Sequence, residues 1–155
     1  HTFDAALAKA LLASGLTLPV RGAMLLSIAD RDKPEAMPII RKLTAAFYQL
    51  YATEGTAAMI RAAGMPVTSV TKKLGEGHPS VVDVINDGTV NAVLNTMSGG
   101  REPLRDGFEI RRAAAERRIP CFTSLDTAMA AVDSLLQGPS NYQVKPRREY
   151  LKGPD

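Results

Sequence analysis

Tryptophan is absent from this chain, cysteine occurs once, and aromatic residues make up only 5% of it. Each scarcity removes a class of function. A single cysteine, Cys121, excludes an intramolecular disulfide and a cysteine-rich metal site. Its place in the apolar I-P-C-F segment reads as a buried, inert thiol in a reducing, cytoplasmic setting. The shortage of aromatics, with no RNA-binding signature, argues against nucleic acid even though the formal net charge is +3 and the pI is near 9.2. An anionic small molecule explains that charge balance as well. No stretch approaches the ~20 apolar residues that span a bilayer, so no membrane partner is expected. The Ala/Leu-rich start, interrupted by Asp4 and Lys9, has no signal-peptide layout and reads as an amphipathic helix. The chain opens on His1 rather than Met, so we expect an excised piece of something longer.

What is present is an ordinary globular balance. With 155 residues, 45% of them hydrophobic and 23% charged, the chain has the size of one domain with a proper core. Short β-rich runs alternate with helical stretches. Gly22 to Ala29 is a nearly continuous apolar run, as expected of a strand buried on both faces. Met37 to Leu43 follows as a helix with Ile39, Ile40 and Leu43 on one stripe. Pro34 suits a first turn but Pro38 does not suit an interior, which predicts a late start or a loose first turn. Phe47 to Ala52 is the second strand and Gly55 to Ala63 its helix, stopped by Gly64. Then come a strand at Val67 to Thr71, a short helix at Pro79 to Asn86 and a strand at Val90 to Asn95. A helix at Asp106 to Arg117, a short strand at Ile119 to Thr123 and a helix at Leu125 to Leu136 complete the order. Such alternation implies an α/β fold, a parallel sheet with helices on both faces. Ligands of such sheets bind beyond the carboxyl ends of the strands.

Polar clusters fall where those ends should be. Arg31-Asp32-Lys33 follows the first strand and Thr53 and Thr56, in A-T-E-G-T, the second. Lys72 and Lys73 follow the third strand, and Asn95-Thr96-Met97-Ser98-Gly99-Gly100 ends the fourth. The open N–H groups of a helix start, two hydroxyls and two lysines form a seat for a phosphate or carboxylate. Charge-assisted hydrogen bonds contribute ~1.5–3 kcal/mol each, so four account for micromolar binding, about −8 kcal/mol. Each cluster also has a plain structural reading. Thr53 alone is a helix cap, the lysines alone are solvated charges, and Ser98-Gly99-Gly100 alone is a turn. Arg111, Arg112, Arg117 and Arg118 read as the outer face of a helix. The shared location, rather than the identity of any one residue, favours a site.

At these residues the chain resembles a known family. G-A-M-L-L-S-I-A-D-R-D-K, A-T-E-G-T, A-A-G-M-P-V-T-S-V-T-K-K-L-G-E-G-H-P-S-V-V-D-V-I and L-N-T-M-S-G-G occur in order, followed by D-G-F-E-I-R-R-A-A-A and I-P-C-F-T-S-L-D-T-A. Together they resemble the C-terminal allosteric, methylglyoxal synthase-like domain of carbamoyl phosphate synthetase large subunits. The resemblance implies a flavodoxin-like sandwich with a five-stranded parallel sheet in the order 3-2-1-4-5. It divides the chain into a linker helix from a preceding synthetase domain (1–18), the allosteric domain (19–137) and a polar tail (138–155). It implies an effector such as UMP or IMP, with Lys33, Thr53, Thr56 and Lys73 at its phosphate and Asn95 and Ser98 near its ribose and base. Thr123 matches a position near ornithine. The parent enzyme uses ATP with Mg or Mn, and none of that chemistry or its cofactors resides in this domain. The implied partners are the remaining large-subunit domains, the small glutaminase subunit and further copies in a homo-oligomer.

Two other classes stay open. A stand-alone methylglyoxal synthase shares the fold and the phosphate seat, and Asp106 matches one of its aspartates. Its catalytic histidine position is occupied by Pro103, and its other aspartate falls in G-E-G-H-P, where there is none. His78 in that segment reads as a loop residue. The remaining class is a docking module with no effector. Against the family pattern, Met97 stands where relatives carry Thr or Pro, and the loop Gly100 to Arg105 is one residue longer.

Overall fold

The computed structural model describes residues 3–72, 79–97 and 101–138, together with Pro146 and Arg148. Five strands, β1 (Ala23–Ser27), β2 (Gln49–Thr53), β3 (Thr68–Val70), β4 (Ala92–Asn95) and β5 (Cys121–Phe122), form one sheet in the order β3-β2-β1-β4-β5. Every pairing is parallel, with Leu26 opposite Ala52 on one side and Leu94 on the other. The expected α/β architecture and strand order are therefore the observed ones.

Among the described residues, six helices cover the sheet: α1 (Phe3–Ala13), α2 (Lys33–Ala45), α3 (Glu54–Ala62), α4 (Val81–Asn86), α5 (Arg101–Glu116) and α6 (Leu125–Gln137). Right-handed crossovers dictate their sides. The chain moves outward from β1 through α2 and α3, then returns past β1 through α4 and α5, so the two pairs cover opposite faces. Side-chain alternation along β1 feeds both cores. Met24, Leu26 and Ile28 pack with the helices α1, α2, α3 and α6, whereas Ala23 and Leu25 pack with α4 and α5. All five β1 residues are buried, which is why that segment reads as an unbroken apolar run. The helix α1 packs on α6, with Leu11 buried in the first core.

Several boundaries differ from expectation. The helix α2 starts at Lys33, not late, and carries Pro38 inside. Pro38 is exposed and in the second turn, so it costs one intrahelical bond while Ala36, Ile39, Ile40 and Leu43 remain buried at helical spacing. The helix α5 begins five residues earlier than Asp106, at Arg101. Phe47 lies outside β2, in a left-handed conformation (φ 59°). Beyond β3, Thr71 bridges Ser80 in parallel, its N–H donating to the Pro79 carbonyl and its own carbonyl accepting from Val81 N–H. Ser80 then opens α4 with a capping box, its hydroxyl accepting from Asp83 N–H and its own N–H donating to the Asp83 carboxylate.

Candidate functional site

The carboxyl ends of β1, β2 and β3 meet at a cleft of about 320 Å³, lined among others by Ala29, Asp30, Lys33, Thr53, Gly55 and Lys72. Its floor is made where β1 runs out of partners. Beyond Ser27, the next two N–H groups are taken by hydroxyls from opposite sides: Ile28 N–H donates to Thr56 Oγ1 at 3.2 Å, and Ala29 N–H to Thr96 Oγ1 at 2.9 Å. Buried amides need such acceptors where a ladder ends. Thr53 Oγ1 lies 3.4 Å from Thr56 Oγ1 and makes no capping bond to α3, so the plain reading of Thr53 as a side-chain cap is not the geometry adopted. The first-turn amides of α3 carry the positive end of the helix dipole toward the cleft.

Lys33 supplies the charge. It is the first residue of α2, and its ammonium reaches across to α3, 3.0 Å from the Gly55 carbonyl and 2.6 Å from Asp30 Oδ1. A Cβ on Gly55 would come within 3.2 Å of that Nζ, so glycine lets the ammonium lie against the helix start. Hydrogen bonding and charge from Lys33 hold the Asp30 carboxyl below the ordinary carboxylate range, with a lesser contribution from Lys72. Asp30 sits in a 3-10 turn, Asp30–Asp32, whose middle residue, Arg31, also lines the cleft. Arg31 Nη2 donates to the Met97 carbonyl at 3.0 Å and spans the gap between β1 and β4, where the strand order reverses.

Comparison with known proteins gives the family. The family model described as "MGS-like domain" matches residues 35–123, more than half of the chain. The chain belongs to the MGS-like domain family. It is 48% identical over 150 residues to the carbamoyl phosphate synthase large chain of Thermomicrobium roseum, covering 97% of this chain and 14% of that one. Identity is 43% over 135 residues to the "Carbamoyl phosphate synthase large chain, C-terminal section" of Methanopyrus kandleri, covering 87% and 25%. The chain thus spans a quarter or less of the relatives it matches, and the resemblance to the MGS-like section of carbamoyl phosphate synthase large chains holds. A solved structure described as the crystal structure of ForH aligns with a TM-score of 0.58 over 75% of this chain and 79% of its own. At 19% identity it supports the fold alone.

In this MGS-like domain three expected phosphate residues, Lys33, Thr53 and Thr56, converge on one cleft. Thr53 and Thr56 are 7% and 1% exposed, so the hydroxyls shape the floor while Lys33 faces the opening. Lys73 and Ser98 lie outside the described residues; Lys72, which precedes Lys73, lines the cleft. Asn95 is apart from this group. Its Nδ2 donates to the Ser27 carbonyl at 3.4 Å and its Oδ1 accepts from Arg111 Nη1 at 2.9 Å. Arg111 therefore turns inward from α5 instead of sharing an outer face with Arg112, Arg117 and Arg118, which are exposed. Gly107 admits it: a Cβ there would meet Arg111 Nη1 at 2.9 Å. Thr123 is exposed just beyond β5, at the far edge of the same rim. Cys121 is half-buried, and burial pushes its thiol up against the opposing pull of Arg111.

Asp30, Thr96 and Arg111 escape assignment from sequence. Asp30 carries a signal in its spacing, three residues before Lys33 on a helical start. Thr96 and Arg111 depend on pairings 67 and 16 residues apart that no local pattern displays. Among the described residues no group of His, Cys, Asp or Glu could hold a metal ion, and no helix is long and apolar enough to cross a membrane.

Proposed function

We propose that this chain is the effector-binding, allosteric domain of a carbamoyl phosphate synthase large chain, and that it binds a phosphorylated nucleotide such as UMP or IMP through its phosphate. The observation that carries the proposal is the meeting of Lys33, Lys72 and the α3 N-terminus over a floor of buried threonine hydroxyls. A phosphate dianion brings several strong acceptors, which suit an ammonium plus open helix amides. Lys73 and Ser98 would complete the enclosure from neighbouring loops, with Asn95 and Thr123 further along the rim for base, ribose and ornithine. The other large-chain domains, the small glutaminase subunit and further copies of the chain would be its partners, in the cytoplasm. ATP with Mg or Mn would serve the synthetase domains elsewhere.

A docking role can accompany effector binding. Leu12, Val20 and Leu136, on and around the α1–α6 side, are each about half or more exposed, and grooves of about 470 and 320 Å³ flank α1. Regulation requires only that a ligand favour one domain arrangement, typically by ~1–3 kcal/mol.

Calorimetric titration of the chain with UMP, IMP, inorganic phosphate and N-acetylglutamate tests the reading. The expected result is saturable binding of UMP or IMP, weakened about tenfold or more by Lys33→Ala, the loss of one charge-assisted bond. Heat from none of the four ligands would leave the docking role as the better account.

A further inference from the structure

The ammonium that the phosphate reading assigns to a ligand already has a carboxylate. Asp30 Oδ1 lies 2.6 Å from Lys33 Nζ, and the two side chains differ sharply in setting: Lys33 is 20% exposed, Asp30 95%. Lys33 is fixed from behind by the Gly55 carbonyl, whereas Asp30 reaches in from solvent on a 3-10 turn at the mouth of the cleft. They stand at i and i+3, so the pairing closes within one turn of chain.

We propose that Asp30 is a built-in competitor for the anionic ligand: its carboxylate holds Lys33 Nζ at rest and must leave before phosphate can take that position. This rests on the phosphate-binding reading above and adds to it a residue that lowers affinity. An exposed carboxylate and a phosphate cannot share one ammonium without like charges coming together at the cleft mouth. As an exposed aspartate, the competitor is ionised at neutral pH. The contact is solvent-exposed, so its effect is modest, about a two- to fivefold reduction in affinity. Displacement needs only a rotation of the Asp30 side chain, which is 95% exposed.

The test is titration of the chain with inorganic phosphate and with UMP, comparing wild type, Asp30→Asn, Asp30→Ala and Glu116→Gln. Glu116 is an exposed carboxylate paired with Arg112 on α5, and its removal changes net charge equally without touching the cleft. The expected result is binding about two- to fivefold tighter in both Asp30 variants, unchanged in Glu116→Gln, with the gain shrinking as salt rises. In a Lys33→Met background, Asp30→Asn should give no gain, since the competitor has nothing to hold. Wild-type binding with equal or weaker binding in the Asp30 variants overturns the proposal and leaves the phosphate reading standing. A gain of the same size in Glu116→Gln, or one that survives Lys33→Met, overturns it by tracing the effect to net charge. Absence of binding in every variant, Asp30→Asn included, overturns the phosphate reading and this proposal with it.

Discussion

Tyr48 donates its phenolic proton to the Pro19 carbonyl, and burial pushes that hydroxyl up to about 12 from an ordinary 10.0. A proton held more tightly in the folded than in the unfolded chain stabilises the fold only while it remains bound. The contribution is therefore complete below pH 10 and is lost as pH climbs from 10 toward 12. Urea midpoints measured across that range should fall more steeply for wild type than for Tyr48→Phe. At neutral pH the Phe variant should be the less stable by ~1 kcal/mol, the net value of one hydrogen bond. Single residues also mark how far sequence reasoning reaches. Lys33, Thr53 and Thr56 are legible because charge and hydroxyls recur after β-rich runs. The position of Asn95 at the end of a strand is legible as well. Its attachment to Arg111 is not, because a helical arginine looks the same whether it faces solvent or a gap left by Gly107.

Helix ends show the same limit at the next scale. Four helices stop in one geometry: a left-handed residue whose N–H reaches back three positions, then an N–H that reaches back five. At α1 and α3 that residue is glycine, Gly15 and Gly64, with bonds Leu16 N–H to Leu11 O and Met65 N–H to Ile60 O. At α2 and α5 it is Phe47 and Arg118, with Tyr48 N–H to Leu43 O and Ile119 N–H to Ala114 O. A glycine announces a stop in the sequence, and Gly64 is legible as one. A phenylalanine announces a strand, so Phe47 reads as the start of β2. The turn is held instead by the neighbouring tyrosine, since Tyr48 and Leu43 bury themselves in one core. Phe47 is 90% exposed and has little contact to lose. Phe47→Gly should therefore raise stability by ~1 kcal/mol, the cost of a Cβ in the left-handed region. Thermal melting reads the change, and an unchanged or lower Tm would count against the assigned strain. Proline misleads in the opposite direction: Pro38 suggests a late helix, but apolar spacing across Ala36 to Leu43 outweighs one missing bond.

For the whole molecule, the order of strands and helices is readable because alternation plus right-handed crossovers leaves few arrangements. The double core follows from it. Leu25 and Leu26 are adjacent, fully buried and assigned to different cores. Leu25→Ala and Leu26→Ala should each cost ~2–5 kcal/mol, and the double variant should approach the ~5–15 kcal/mol that holds a typical domain together. Chemical denaturation with the two singles and the double checks both claims; a small cost for either single would mean that one face of the sheet is loosely packed. The same organisation governs how the cleft at the strand ends is assembled. Its floor hangs from two consecutive amides just beyond the central strand, one answered 28 residues later by Thr56 and the next 67 residues later by Thr96. Contacts so far apart close late, after the entropy of the intervening loops has been spent. During synthesis, a growing chain that has emerged only as far as β3 can hold Ile28 but has nothing yet for Ala29. Every residue that lines the cleft lies between Ile28 and Lys72, so β4 adds no wall to it and only secures the Ala29 amide.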